Sequence, residues 1–104
     1  MQYDKIIQMN ANVSYPAFKT DTEAKEGKWL AKILTDYYKS KPVIIRTSGG
    51  SVPISPFVSE LGIPAIGVPS VNLDNNQHSP NENLRLGNYF MGIETFLAIL
   101  TSAF

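Results

Sequence analysis

The chain has 104 residues, of which 43% are hydrophobic and 17% are charged. Nine basic and nine acidic residues cancel, and the basic ones are scattered singly, so a nucleic-acid partner has little electrostatic support. The sequence contains no cysteine, which excludes disulfides and thiolate metal sites and fits a reducing compartment. Any metal site must therefore use histidine and carboxylate ligands.

Neither a membrane span nor a secretory signal is indicated. The N-terminal MQYDKIIQMN has no basic segment followed by an apolar one. The longest apolar stretch, MGIETFLAIL, is interrupted by Glu94 and Thr95 and falls short of the roughly 18 residues that a span needs. We expect a cytoplasmic protein with no membrane partner.

The first half of the chain predicts a strand and a helix. Residues 3–9, YDKIIQM, are typical of a short strand. Thr20 followed by Glu23 has the spacing of a capping box, and apolar residues then recur at helical spacing up to about Lys39. We predict a helix there, with Thr20 as its N-cap.

The second half predicts two buried strands and two helices. The strands are PVIIRT (42–47) and PAIGVP (64–69), separated by a short helix from about Pro53 to Leu61 with Gly62 as its stop. An irregular segment, 70–86, leads into a last helix over about 87–103. This alternation predicts an α/β layered fold. Two parallel strands make a poor sheet, so we expect a piece of a larger protein or a chain that pairs with a copy of itself.

The first candidate site is RTSGGSVP, residues 46–53. If a helix began at Ser51 or Val52, its free backbone N–H groups would suit a carboxylate or phosphate. The alternative is a tight turn that uses glycine for a positive φ and Ser51 as a helix cap. The pattern matches no common nucleotide-binding motif.

The second candidate is the loop DNNQHSPNE, which holds the only histidine, His78. Ser79, Pro80 and Glu82 have the spacing of a helix start, which would place His78 just before a helical turn and facing a cavity. Asp74 and Glu82 flank it, but Pro80 forbids a continuous helix, so the three do not form a ready metal site. Histidine is the commonest metal ligand, although a lone histidine is often structural.

Together, the GGS–P and HSPNE elements, with a helix–strand unit between them, resemble the C-terminal part of the zinc-dependent dipeptidase and aminoacylase family. That family includes the carnosinases, the cytosolic non-specific dipeptidases and succinyl-diaminopimelate desuccinylase. The resemblance runs from about Tyr15 to the end of the chain. It implies that residues 1–14 are the last strand of a lid domain that often dimerises, and that residues 15–104 are the C-terminal part of a layered α/β catalytic domain.

The resemblance also implies roles for individual residues. His78 matches the family's C-terminal ligand of one of two zinc ions, and Gly49, Gly50 and Ser51 match the element that contacts the substrate's carboxylate or backbone. Ser79, Asn81 and Glu82 match the rest of the HSPNE motif, and we assign them to capping and shaping the loop. The other ligands and the general base have no counterpart in these 104 residues, so no catalytic residue is assigned.

The resulting hypothesis is a metallopeptidase fragment that is inactive alone. Its parent would hydrolyse a dipeptide or an N-acyl amino acid with a zinc-activated water, and its partners would be the rest of the parent chain or a second copy. The alternative is a non-catalytic module that binds or self-associates on the same scaffold. A third possibility is that both loops are purely structural.

Overall fold

A computed structural model of the protein describes residues 11–12 and 15–104, and within this part it contains three helices. They are α1 (Lys25–Tyr38), α2 (Ser55–Leu61) and α3 (Leu86–Thr101). The three predicted helices are confirmed, with α1 beginning later than expected. The strand predicted over residues 3–9 lies outside the described residues.

The predicted α/β layered fold is wrong for the described residues, which form no β-strand and therefore no sheet. Residues 42–47 and 64–69 have the β-branched composition of strands, but neither finds a partner strand. Val43 is 89% exposed and Ile45 is 77% exposed. The sequence pattern correctly marked apolar segments, but strand formation requires a hydrogen-bonding neighbour that this part of the chain does not provide.

Helices α1 and α3 pack against each other, and this is the main tertiary contact between helices. The core between them is small: Leu30 and Ile33 of α1 are the buried large apolar residues of the described part. Polar contacts add to it. Tyr37 donates a hydrogen bond to a Glu94 carboxylate oxygen at 2.5 Å, and the Tyr38 hydroxyl lies 2.6 Å from the Thr95 hydroxyl.

Thr95 has its own partner within α3, since its hydroxyl donates to the Met91 carbonyl at 2.7 Å. A hydroxyl has one proton to give, so Tyr38 must be the donor in its contact with Thr95. Thr95 is 3% exposed, which makes this chain of hydrogen bonds the polar part of the α1–α3 interface.

The residues after α3 fold back onto α1. The indole N–H of Trp29 donates to the Ala103 carbonyl at 2.7 Å, and the Trp29 and Phe104 rings meet edge to face at 5.4 Å. Lys25 places its ammonium 4.8 Å from the centre of the Phe104 ring, a favourable cation–π distance. These contacts tie the last residues to the first turns of α1.

Thr20 does not cap α1 as predicted, because the N-cap position is Ala24 and makes no side-chain hydrogen bond. Thr20 instead joins two distant segments. Its hydroxyl donates to the Ala65 carbonyl at 2.6 Å and accepts the Ala65 N–H at 3.1 Å. The capping-box spacing is present in the sequence, but the Thr20 hydroxyl bonds Ala65 and therefore does not cap the helix.

The chain leaves an unusually large surface uncovered. Its radius of gyration is 18.2 Å, whereas about 13 Å is typical of a compact domain of this length. Its accessible surface is 9286 Å², whereas roughly 5,800 Å² is expected for a folded monomer of 11.5 kDa. One consequence is an open apolar groove of about 450 Å³ along α3, lined by Leu84, Tyr89, Ile93, Phe96, Leu97 and Leu100.

None of the helices in the described part of the chain is both long enough and apolar enough to cross a membrane.

Candidate functional site

The site centres on residues 70–85, here called the histidine loop, which carry His78 between α2 and α3. The loop begins against α3, where Gly92 faces Ser70 so closely that a Cβ on Gly92 would lie 2.9 Å from the Ser70 Cβ. It ends at Arg85, the N-cap residue of α3. Both ends of the loop are therefore fixed by the same helix.

Asn72 is the buried centre of this loop, with 4% of its surface exposed. Its side-chain amide donates to the Asp74 carboxylate at 2.8 Å and to the Asn83 side-chain oxygen at 2.9 Å. Its side-chain oxygen accepts the Arg85 N–H at 3.0 Å. Its backbone carbonyl accepts the Asn75 side-chain amide at 2.6 Å.

Asn83 crosses the loop in a similar way. Its backbone N–H donates to the Asn75 carbonyl at 2.9 Å. Its side-chain amide donates to the carbonyls of Asp74 and Asn81, at 3.0 and 3.1 Å. The asparagines of this loop therefore form a hydrogen-bond network. Their side chains bond backbone groups that have no partner in a helix or strand.

Asp74 is paired with Arg85 through a contact of 2.6 Å between its second carboxylate oxygen and the guanidinium. Hydrogen bonding by the Asn72 amide, followed by the loop backbone and the Arg85 charge, lowers the pKa of Asp74 from its ordinary value. The carboxylate is therefore ionised at neutral pH and is already occupied by Asn72 and Arg85. This occupation counts against Asp74 as a metal ligand.

His78 lies exposed at the tip of the loop in the left-handed backbone region, with φ of 61°. Asn76 and Asn81, at φ of 54° and 63°, share this conformation. Among the described residues, no hydrogen bond engages the His78 ring. The His78 residue is therefore open to solvent within the described part of the chain.

The helix predicted to start at Ser79 does not form. Residues 77–81 make a turn in which the Ser79 N–H donates to the Asn76 carbonyl at 3.0 Å, and α3 begins only at Leu86. Ser79, Asn81 and Glu82 are all exposed. Glu82 lines a shallow depression of about 330 Å³ beside the loop, together with Val71, Gln77 and Leu84.

The glycine loop differs from its predicted geometry. The first helical residue of α2 is Ser55, with Ile54 as N-cap, so Ser51 neither caps this helix nor stands at its start. Gly49 and Gly50 do not adopt positive φ. Their local contact is a hydrogen bond of 3.3 Å from the Gly50 N–H to the Ser48 hydroxyl. Gly49, Gly50 and Ser51 therefore do not stand at the start of a helix, and their contact with the substrate stays a prediction from the resemblance.

Among the described residues, no hydrogen bond joins residues 48–51 to residues 70–85. No cluster of three or more potential metal-binding side chains occurs in residues 11–12 and 15–104. A zinc site with His78 as one ligand would therefore need its remaining ligands from outside the described residues.

Sequence reasoning missed Asn72. The sequence did contain a signal, since asparagine is common in turns, and Asn72, Asn75 and Asn83 lie on both sides of the single histidine. What it could not show is that Asn72 is buried while its neighbours are exposed.

Comparisons with protein-family models, with curated proteins and with solved structures returned no match.

Proposed function

We propose that this chain is one part of a zinc-dependent hydrolase of the dipeptidase type, in which His78 supplies one metal ligand. The observation that carries the proposal is the placement of the only histidine at the exposed tip of a loop whose base is closed by hydrogen bonds of Asn72, Asn83 and Arg85, with no hydrogen bond to its ring from the described residues. Its support from the sequence is the resemblance of the GGS–P and HSPNE elements to that family.

In this proposal the residues of this chain bind and orient, and they do not transfer protons. His78 would ligate zinc through one ring nitrogen, and the bound metal would supply an activated water for cleavage of a dipeptide or N-acyl amide bond. Gly49, Gly50 and Ser51 would contact the substrate's carboxylate or backbone. They are exposed and would depend on a further polypeptide segment to approach His78.

The uncovered apolar surface supports the dependence on further polypeptide. Segment 43–45 and α3 both expose large aliphatic side chains, and continuous exposed apolar surface of this extent marks an interaction site in soluble proteins. A polypeptide that covers these surfaces could also bring the missing ligands and the general base to His78.

The test uses the single imidazole of the chain. Zinc titration of uniformly ¹⁵N-labelled protein, followed at the His78 ring nitrogens, should perturb those signals weakly and with one-to-one stoichiometry. His78→Ala should remove the response, while Glu82→Gln should keep it, because Glu82 is assigned to loop shape and not to the metal. A ring that stays unperturbed at millimolar zinc would reject the metal-ligand role.

A second candidate function is a non-catalytic module that associates with itself, and the open groove along α3 favours it. Leu97→Glu, which puts a charge in the lining of that groove, should then convert an oligomer into a monomer in sedimentation equilibrium. A wild-type chain that sediments as a monomer would reject the module. Tight zinc binding that requires both His78 and the oligomer would favour the self-associating module over the proposal that the chain is part of a hydrolase.

A further inference from the structure

Asn72 uses both amide protons and the oxygen of its side chain in hydrogen bonds inside the histidine loop. Its two amide protons go to the side-chain oxygens of Asp74 and Asn83, and its oxygen receives the Arg85 N–H. Because Asn72 is almost fully buried, water cannot replace these partners at little cost. Loss of this side chain would leave several buried polar groups unsatisfied at once.

The partners of Asn72 lie on both sides of His78 in the sequence. Asp74 precedes the histidine, whereas Asn83 and Arg85 follow it. A single side chain therefore closes the loop at its base, and the closure is reinforced by the Asp74–Arg85 ion pair and by the Asn83 N–H bond to Asn75. His78 lies at the opposite end, where the chain reverses.

The reversal requires a backbone that non-glycine residues avoid. Asn76, His78 and Asn81 all have positive φ. Such a conformation is unfavourable for residues with a Cβ and persists where surrounding structure enforces it. Asparagine and histidine both adopt it more often than most non-glycine residues, but three such residues between positions 76 and 81 still require surrounding structure to hold the turn.

We infer that Asn72 is the positioning residue for His78: by joining Asp74 to Asn83 and Arg85, it holds the histidine backbone left-handed and so directs the ring away from the loop. This inference rests on the proposed function, because a positioned ring matters only if His78 is a ligand. A ligand held in place before binding loses less freedom when a metal site assembles around it.

The experiment compares the full chain with Asn72→Ala, Asn72→Asp and Asn72→Asp/Asp74→Asn. A left-handed residue shows a strong intraresidue amide-to-Hα nuclear Overhauser effect, and we expect Asn72→Ala to weaken that of His78 by about threefold as φ becomes negative. Asn72→Asp should weaken it too, since it sets a second carboxylate against Asp74 and removes both donors. The double variant restores the hydrogen bond between residues 72 and 74 with donor and acceptor exchanged, and it should recover part of the signal because the bond to Asn83 and the ion pair with Arg85 stay lost.

Two controls separate the possible failures. The amide signals of Tyr38 and Thr95 report on the α1–α3 interface and should be unchanged in Asn72→Ala. If that interface also collapses, or if His78 keeps its left-handed signature, Asn72 is not a positioning residue for this loop. The zinc response of the wild-type His78 ring tests the metal role separately: a missing response rejects the proposed function even where the loop behaves as expected.

Discussion

Gly92 and Ser70 lie so close that a Cβ added to Gly92 would be 2.9 Å from the Cβ of Ser70. Real Cβ contacts are essentially never this short, so a side chain at residue 92 must push the start of the histidine loop away from α3. The absence of a side chain at one helical position thus determines where the loop begins.

We therefore expect Gly92→Ala to destabilise the protein, by about 1–3 kcal/mol, as overpacking does in other tight contacts. The matched control is Gly87→Ala in the first turn of the same helix, where an added Cβ meets nothing within 4 Å. That control should be neutral or stabilising by up to about 1 kcal/mol because alanine favours the helix. Urea unfolding followed by circular dichroism measures both, and equal midpoints would contradict the close contact.

The loop makes a second prediction about stability at His78. Glycine adopts positive φ without penalty, so His78→Gly should be more stable than His78→Ala by about 1 kcal/mol. Both variants lack the imidazole, and the comparison isolates the backbone. Chemical denaturation of the two proteins side by side gives the difference. An alanine variant at least as stable as the glycine variant would show that φ at this residue is negative in solution.

Thr20 should matter for a reason unrelated to helix capping. Thr20→Val keeps the shape of the side chain but loses both hydrogen bonds to Ala65, and the unpaired Ala65 groups should cost about 1–3 kcal/mol. Thr20→Ser retains the hydroxyl and serves as the control. Unfolding midpoints of the three proteins provide the measurement. If valine and serine are equivalent, the segment joining residues 20 and 65 is not held by this hydroxyl.

The Tyr37–Glu94 pair predicts a pH dependence. Hydrogen bonding to the Glu94 carboxylate raises the pKa of Tyr37 to about 12, above the ordinary value near 10. Because the folded pKa is the higher one, the contribution of Tyr37 to stability is fully present below about pH 10. It is lost as pH rises from there through about 12.

Absorbance titration of tyrosinate tests this directly. A late component near pH 12 should be present, and Tyr37→Phe should remove that late component while Tyr89→Phe should keep it. Glu94→Gln should move the Tyr37 midpoint back toward its ordinary value, since the carboxylate is the principal cause of the shift. A titration with no late component would mean that the Tyr37–Glu94 hydrogen bond does not persist in solution.

The helices could be predicted from sequence because their signals are local. The apolar spacing in α1 and α3, and the Gly62 stop with φ of 63° after α2, depend on residues within a few turns of one another. The two strands failed because the β-branched runs 42–47 and 64–69 specify an extended tendency and no partner. The helix start predicted at Thr20 failed because its hydroxyl bonds the distant Ala65, and α2 begins at Ser55, four residues after Ser51.

The same distinction between local signals and tertiary contacts applies to the candidate site. His78 was singled out because it is the only histidine and stands in a motif, and its role as a metal ligand stays a prediction. The burial of Asn72 depends on the packing of Ser70 against Gly92 and on the position of Arg85 at the start of α3. No periodicity in the sequence encodes that three-way arrangement.

The contacts of Trp29 with Ala103 and Phe104 affect how intrinsic fluorescence reports the unfolding of this protein. The protein has one tryptophan, and its indole contacts the Ala103 carbonyl and the Phe104 ring. Its emission will therefore change when residues 102–104 detach from α1, even if the histidine loop remains intact. A fluorescence transition that precedes the one seen by circular dichroism would mark this local release and should not be read as global melting.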